Sequence, residues 1–276
     1  MRRVSLDGDR QLAYAEYGRS DGTPVVFLHG TPGSRLLGRL LEPAAEDLGI
    51  RVLAPDRPGY GRSSPWAERS VRDAEAFLTP VLDDAGVESA GVVAFSGGAP
   101  YALAAAATRP DRIDRIDLVA GATPPALSEA TPAIQRLLGR LATTTPAALR
   151  GLFRGQAWLA SRLAPSFVLA QYTDDAESVP DAAAETVKAD FVEAFADSRR
   201  GAVTEFRHAT TDWGIDFADV TGDVRLWHGD ADANVPIADA RRLETQLPNA
   251  ELRALNDADH LQTLLRSVPD VLATHR

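Results

Sequence analysis

Strand-like apolar runs alternate with helix-spaced segments as far as Ala120, and that order restricts the chain to few folds. Two short strands, near Arg3–Leu6 and Gln11–Tyr17, flank a hairpin turn at Asp7-Gly8-Asp9. A strand at Val25–His29 precedes helical spacing over Leu36–Leu48, and a strand at Arg51–Ala54 precedes a helix over Val71–Ala85. A strand at Ala90–Phe95 leads into a helix that runs to about Thr108, followed by a strand at Ile113–Ala120. Such alternation demands right-handed crossovers and a mostly parallel central sheet flanked by helices, an α/β fold.

The alternation stops after Gly121. From there to Trp213 only helical stretches appear, at Pro132–Leu141, Ala147–Leu163 and Ala182–Ser198, punctuated by Pro124, Pro125, Pro146, Pro165 and Pro180. Strands resume at Val224–His228 and Glu251–Leu255, with a helix at Ile237–Gln246 between them and a last helix from about Leu261. An all-helical block between two strands of one sheet is an insertion into the α/β core.

Composition narrows the chemistry. With 276 residues the chain suits one large domain or a core carrying an inserted subdomain. Its formal charge of −10 argues against nucleic acid or an anionic membrane surface as partner, since both call for a basic footprint. There are no cysteines, hence no disulfide, no thiolate nucleophile and no cysteine-held metal. Aspartates and histidines show no ligand spacing such as His-x-x-x-His, so neither metal nor cofactor is expected. The arginines at the start have no apolar stretch behind them, and no run approaches the ~18 apolar residues of a membrane span. The expectation is a cytoplasmic, soluble protein.

The strand ending at Phe95 runs straight into Ser96-Gly97-Gly98-Ala99-Pro100 and an alanine-rich helix. Only small neighbours let a strand turn so sharply, and the turn lifts a serine hydroxyl to the positive end of a helix. A serine needs a base, and the base needs an orienting carboxylate. Of the five histidines, His29 and His228 each precede a glycine at a strand end and read as loop braces, His208 lies in the helical block, and His275 lies at a frayed terminus. His260, just after the last strand, is the candidate base. The carboxylate comes from the loop after Trp227-His228-Gly229, where Asp232 is preferred and Asp230 is the rival. All three lie at carboxyl ends of strands, where open α/β sheets carry their sites. An oxyanion needs pre-aimed donors. The N–H of Gly97 supplies one; in the loop His29-Gly30-Thr31-Pro32-Gly33, Pro32 has no N–H, which leaves Thr31 for the other.

These motifs together resemble the α/β-hydrolase fold superfamily, in its capped, esterase-like serine-hydrolase form, over essentially the whole chain. His29-Gly30-Thr31-Pro32-Gly33 resembles the family's oxyanion loop, and Pro55-Asp56-Arg57-Pro58-Gly59-Tyr60-Gly61-Arg62-Ser63 resembles its structural loop, in which Asp56 is not catalytic. His228-Gly229-x-x-Asp232-x-x-Val235-Pro236 resembles the acid loop and favours Asp232 over Asp230. The elbow departs from the family in reading Ala94-x-Ser96-x-Gly98, with alanine where glycine usually stands first; no loss of function is expected from it. The resemblance implies a core of residues 1–121 and 214–276, with residues 122–213 as a helical cap over the site. It implies an apolar pocket to which some of Phe153, Trp158, Phe167, Tyr172, Phe191, Phe195 and Phe206 contribute. It further implies hydrolysis of a small carboxylic ester or lactone with an apolar acyl or alcohol group through an acyl-enzyme. Proline-iminopeptidase-like aminopeptidases and carbon–carbon bond hydrolases share this machinery, and a non-catalytic small-molecule binder could keep the scaffold. An aminopeptidase would need acids in the cap, for which Asp174, Asp175, Glu177, Glu185, Asp190 and Glu193 are available. Dehalogenase and epoxide-hydrolase relatives carry aspartate where Ser96 stands.

Overall fold

A computed structural model describes residues 1–128 and 132–276. Its strands are β1 (Arg2–Ser5), β2 (Gln11–Gly18), β3 (Thr23–Leu28), β4 (Ile50–Pro55), β5 (Ala90–Phe95), β6 (Ile113–Val119), β7 (Asp223–Gly229) and β8 (Ala250–Leu255). They form one sheet in the order β1-β2-β4-β3-β5-β6-β7-β8. Strand β2 runs antiparallel to β1 and β4, and the remaining pairings are parallel.

The first helices are α1 (Glu42–Leu48), α2 (Ala74–Asp84) and α3 (Ala99–Thr108). Between β6 and β7 come α4 (Ala133–Thr144), α5 (Pro146–Ala160), α6 (Ser166–Leu169), α7 (Asp181–Ala194) and α8 (Arg200–His208). Helices α9 (Ile237–Gln246) and α10 (His260–Ala273) complete the order. Because β6 and β7 are neighbours in the sheet, the helices between them are an excursion from it.

Apolar alternation along β3 explains the two cores. Val25 and Phe27 point into one layer with Leu41 of the first connection, Leu264 of α10 and Phe191 of α7, while Val26 and Leu28 point into the other with Phe77 of α2, Leu103 of α3 and Leu243 of α9. Strand β5 is buried at every position, as a central parallel strand covered on both faces must be.

Four local features differ from the sequence reading. The segment 36–48 splits into a 3-10 helix, Arg35–Leu41, and α1, which starts with Pro43 in its first turn, where a missing N–H costs nothing. Val71–Asp73 is likewise 3-10 before α2 begins. Helix α8 lies beyond the expected end of helical pattern at Ser198; its glycine and β-branched residues weaken the local signal. His275 is not frayed but buried, its Nε2 lying 2.9 Å from Asp117 Oδ2. Among the described residues, no helix is long and apolar enough to cross a membrane.

Candidate active site

Ser96 holds φ +51°, a left-handed backbone rare for a residue with a Cβ, where β5 passes through a 3-10 turn into α3. Small neighbours make that turn possible. A Cβ on Gly98 would come within 2.6 Å of the Leu28 carbonyl oxygen, and one on Gly97 would strike the Thr31 hydroxyl. Pro100 sits in the first turn of α3.

His260 opens α10, whose start is fixed by a capping box: Asp259 accepts from Gln262 N at 2.9 Å, and the Gln262 side chain accepts from Asp259 N at 3.2 Å. Its imidazole Nε2 is 2.9 Å from Ser96 Oγ, and its Nδ1 is 2.7 Å from Asp232 Oδ2. The ring packs beside Phe95 (centroids 5.0 Å) and stacks on Tyr172 at 11°. This aromatic packing helps set the orientation that the two hydrogen bonds require.

Asp232 divides its oxygens. Oδ1 accepts from Asn234 N (2.8 Å) and Val235 N (2.9 Å), which leaves Oδ2 for His260. Burial alone would raise its pKa, but the charge and hydrogen bond of His260, with the Val235 N–H, hold it below the usual carboxylate range. His228 braces the same loop by donating from Nε2 to the Val235 carbonyl at 2.8 Å, and burial keeps its pKa low. The rival Asp230 is exposed and accepts from Asp257 N at 2.8 Å, a turn brace.

Thr31 and Gly97 lie against each other: the Thr31 nitrogen is 3.2 Å from where a Cβ on Gly97 would stand. His29 holds the loop from behind, its Nε2 accepting from Arg57 N at 3.1 Å and its Nδ1 donating to Gly30 O at 2.7 Å. Asp56 is wholly buried and accepts from Arg35 N (2.6 Å), Arg35 Nη1 (2.7 Å) and Arg62 N (2.9 Å), away from Ser96.

Sequence reasoning missed a buried charge cluster behind the loop His29–Gly33. Glu205 of α8 accepts from Arg57 Nε (2.8 Å), Arg69 Nη2 (2.7 Å), Tyr60 Oη (3.0 Å) and Thr31 Oγ1 (2.6 Å). Arg57 also donates to the carbonyls of His29 and Gly30. His208 donates from Nε2 to Arg69 O at 2.9 Å, so its Nδ1 accepts from Tyr101 Oη at 2.8 Å. Arg57 lay within a recognisable motif; Glu205 carried no spacing signal of its own.

A cavity of about 910 Å³ opens above Ser96 and His260, lined by residues of the helical excursion such as Ile134, Leu138, Leu152 and Leu159. Of the seven aromatics singled out, Phe153, Tyr172 and Phe206 line it. Phe191 and Phe195 are core, and Trp158 is exposed. None of the six candidate cap acids lines it; Asp190 instead accepts from Ser34 N and Oγ, and Glu193 pairs with Arg35 and Arg62.

An eight-stranded, mostly parallel sheet with serine, histidine and aspartate at its carboxyl rim defines a class, the α/β hydrolases. The chain belongs to the alpha/beta hydrolase fold family, whose model matches residues 23–266. An uncharacterized hydrolase, YcgS, of Bacillus subtilis is 32% identical over 120 residues, covering 44% of this chain and 41% of that protein. A 2-hydroxy-6-oxononadienedioate/2-hydroxy-6-oxononatrienedioate hydrolase of Cupriavidus pinatubonensis is 28% identical over 86% of this chain and 80% of that one. For the first curated relatives the match spans less than half of their length. Among solved structures, a bromoperoxidase from Bacillus anthracis superposes with a TM-score of 0.76 at 19% identity, covering 99% of this chain and 98% of that one; it shares the fold.

Proposed function

We propose that the protein is a serine hydrolase that cleaves a small carboxylic ester or lactone through an acyl-enzyme. Ser96 is the nucleophile, His260 the general base and acid, and Asp232 the group that orients and charge-balances the imidazole. The carrying observation is the unbroken contact chain Ser96–His260–Asp232, at 2.9 and 2.7 Å. Ser96 Oγ attacks the carbonyl carbon as its proton passes to His260 Nε2. The N–H groups of Gly97 and Thr31 hold the resulting oxyanion, each contributing roughly 3–4 kcal/mol. Collapse expels the alcohol, which takes the proton from His260. Water then attacks the acyl-Ser96 carbonyl with His260 again as base, releasing the acid and restoring the serine. Residues 122–213 form the cap, and their apolar side chains select an apolar acyl or alcohol group.

Identity to the Cupriavidus hydrolase over most of both chains favours a second reading, carbon–carbon bond hydrolysis. The cavity speaks against a dicarboxylate of the kind in that protein's name, because among the described residues no arginine or lysine lines it. A fluorophosphonate probe should label Ser96, and Ser96→Ala should lose labelling and about 10⁴-fold or more of p-nitrophenyl butyrate turnover. Full turnover by Ser96→Ala would overturn the assignment.

A further inference from the structure

The chain is acidic overall, yet from Pro132 to Thr173 it holds five arginines (Arg136, Arg140, Arg150, Arg154, Arg162) and no aspartate or glutamate. No acid within this stretch can neutralise them. The same stretch concentrates exposed apolar surface. Apart from Met1, the large exposed hydrophobics among the described residues are Ile134 and Leu137 on α4, Leu152, Trp158 and Leu159 on α5, and Leu163 just beyond it, each between 40% and 60% exposed. Soluble surfaces carry single apolar side chains freely, but so many large ones on two helices that pack on each other, and just beyond them, mark a contact face. The Arg162 guanidinium lies over the Trp158 ring at 4.2 Å, so charge and aromatic are presented together.

Position adds the third observation. Ile134, Leu152 and Leu159 are both exposed and part of the cavity lining, so they frame the mouth of the cavity that reaches Ser96. Whatever covers this face is therefore anionic where the arginines stand and apolar where the leucines stand, and it lies against an opening able to take an apolar molecule.

We infer that α4 and α5 dock the protein on an anionic lipid bilayer, with the cavity mouth facing the acyl layer. A bilayer meets all three conditions at once: surface phosphates for the arginines, an interfacial zone for Trp158 and an apolar phase for the leucines. The charge of −10 does not prevent this. At physiological ionic strength a charge acts over only about 8 Å, so the membrane reads the local face and not the chain average. Each arginine held near such a surface strengthens partitioning by about five-fold. The inference does not rest on the chemistry proposed for Ser96.

The test is co-sedimentation of the full chain with phosphatidylcholine vesicles, with and without about one-third phosphatidylglycerol. The expected result is binding that rises with phosphatidylglycerol and is lost at high salt. Arg136→Glu/Arg154→Glu should weaken it by about 25-fold or more, and Trp158→Ser should weaken it independently. Neither substitution touches the cavity lining, so unchanged probe labelling of Ser96, or an unchanged melting curve, reports that each variant is folded. Ser96→Ala should bind vesicles as the parent does, which separates this inference from the catalytic one. Failure to bind anionic vesicles overturns it, as does binding that both surface variants retain. A concentration-dependent dimer that the same variants dissociate also overturns it, because the face would then belong to a second copy.

Discussion

Among the described residues, Glu205 is the single carboxylate facing two buried guanidinium groups. Arg57 and Arg69 both pair with it at 2.7 Å, and all three side chains are essentially inaccessible to water. Burial by itself would raise the Glu205 pKa, but Arg57 and then Arg69 hold it far below the ordinary carboxylate range. The cluster thus keeps one positive charge in excess directly behind the loop that carries Thr31. Removing one partner of a buried ion pair leaves the other uncompensated, which costs about 3–5 kcal/mol. Glu205→Ala should therefore lower the unfolding free energy in urea by that amount, and Glu205→Gln, which keeps an acceptor oxygen but no charge, should fall between. A Glu205→Ala protein as stable as the parent would refute the role. Nothing in the sequence announced this pairing, because Glu205 reaches Arg57 across 148 positions and sits in a helix with weak local signal. Ser96, Asp232 and His260 were legible for the opposite reason: each follows a clear strand, and the carboxyl ends of parallel strands converge on one rim.

On helix α5, Gly151 and Gly155 line the cavity, and a Cβ at either would meet nothing within 4 Å. Neither glycine is needed for a turn, so each costs the helix about 1 kcal/mol relative to alanine. Their effect is to widen the trough beside Leu152 and Leu159. Gly155→Ala should stabilise the protein slightly while barely narrowing the cavity. Gly155→Leu should cut kcat/KM for an octanoyl ester by about tenfold relative to a butyryl ester, since each excluded methylene is worth about 1–3 kcal/mol. An unchanged chain-length profile would show that the acyl group does not lie along α5. The core elements were readable because strand and helix periods differ, and β5 and α9 carry the bounds expected of them. The side chains of the helices between β6 and β7 were not, because a helix there buries one stripe in the core and turns another to the cavity, and both stripes are apolar. Alternation also hides 3-10 turns such as Arg35–Leu41, whose sequence reads as ordinary helix.

At the scale of the whole molecule, His29, His208 and His228 are held neutral at a cost that appears in acid. Burial, and then the neighbouring Arg57, drives the pKa of His29 well below its ordinary value; burial lowers His228, and burial with Arg69 brings His208 down to about 4. In the unfolded chain these three take up protons near pH 6.5, whereas in the fold they do so only at lower pH. The unfolded state therefore binds more protons below that point, and stability falls as pH falls. Asp190 acts in the opposite sense. Burial raises its pKa to about 7, so the fold retains a proton that the unfolded chain releases above its ordinary value of 3.8, which favours folding as pH drops. Burial raises the pKa of Asp56 in the same sense as that of Asp190, so three histidines act against two carboxylates, and Asp232, with its lowered pKa, adds a further loss only at still lower pH. His208 alone contributes about 2 kcal/mol of destabilisation on going from about pH 7.5 to about pH 5. The urea midpoint should fall over that interval, and His208→Gln should flatten the fall by about that share; a midpoint that holds steady or rises toward pH 5 would mean that the buried carboxyls Asp190 and Asp56, not the histidines, govern the acid limb.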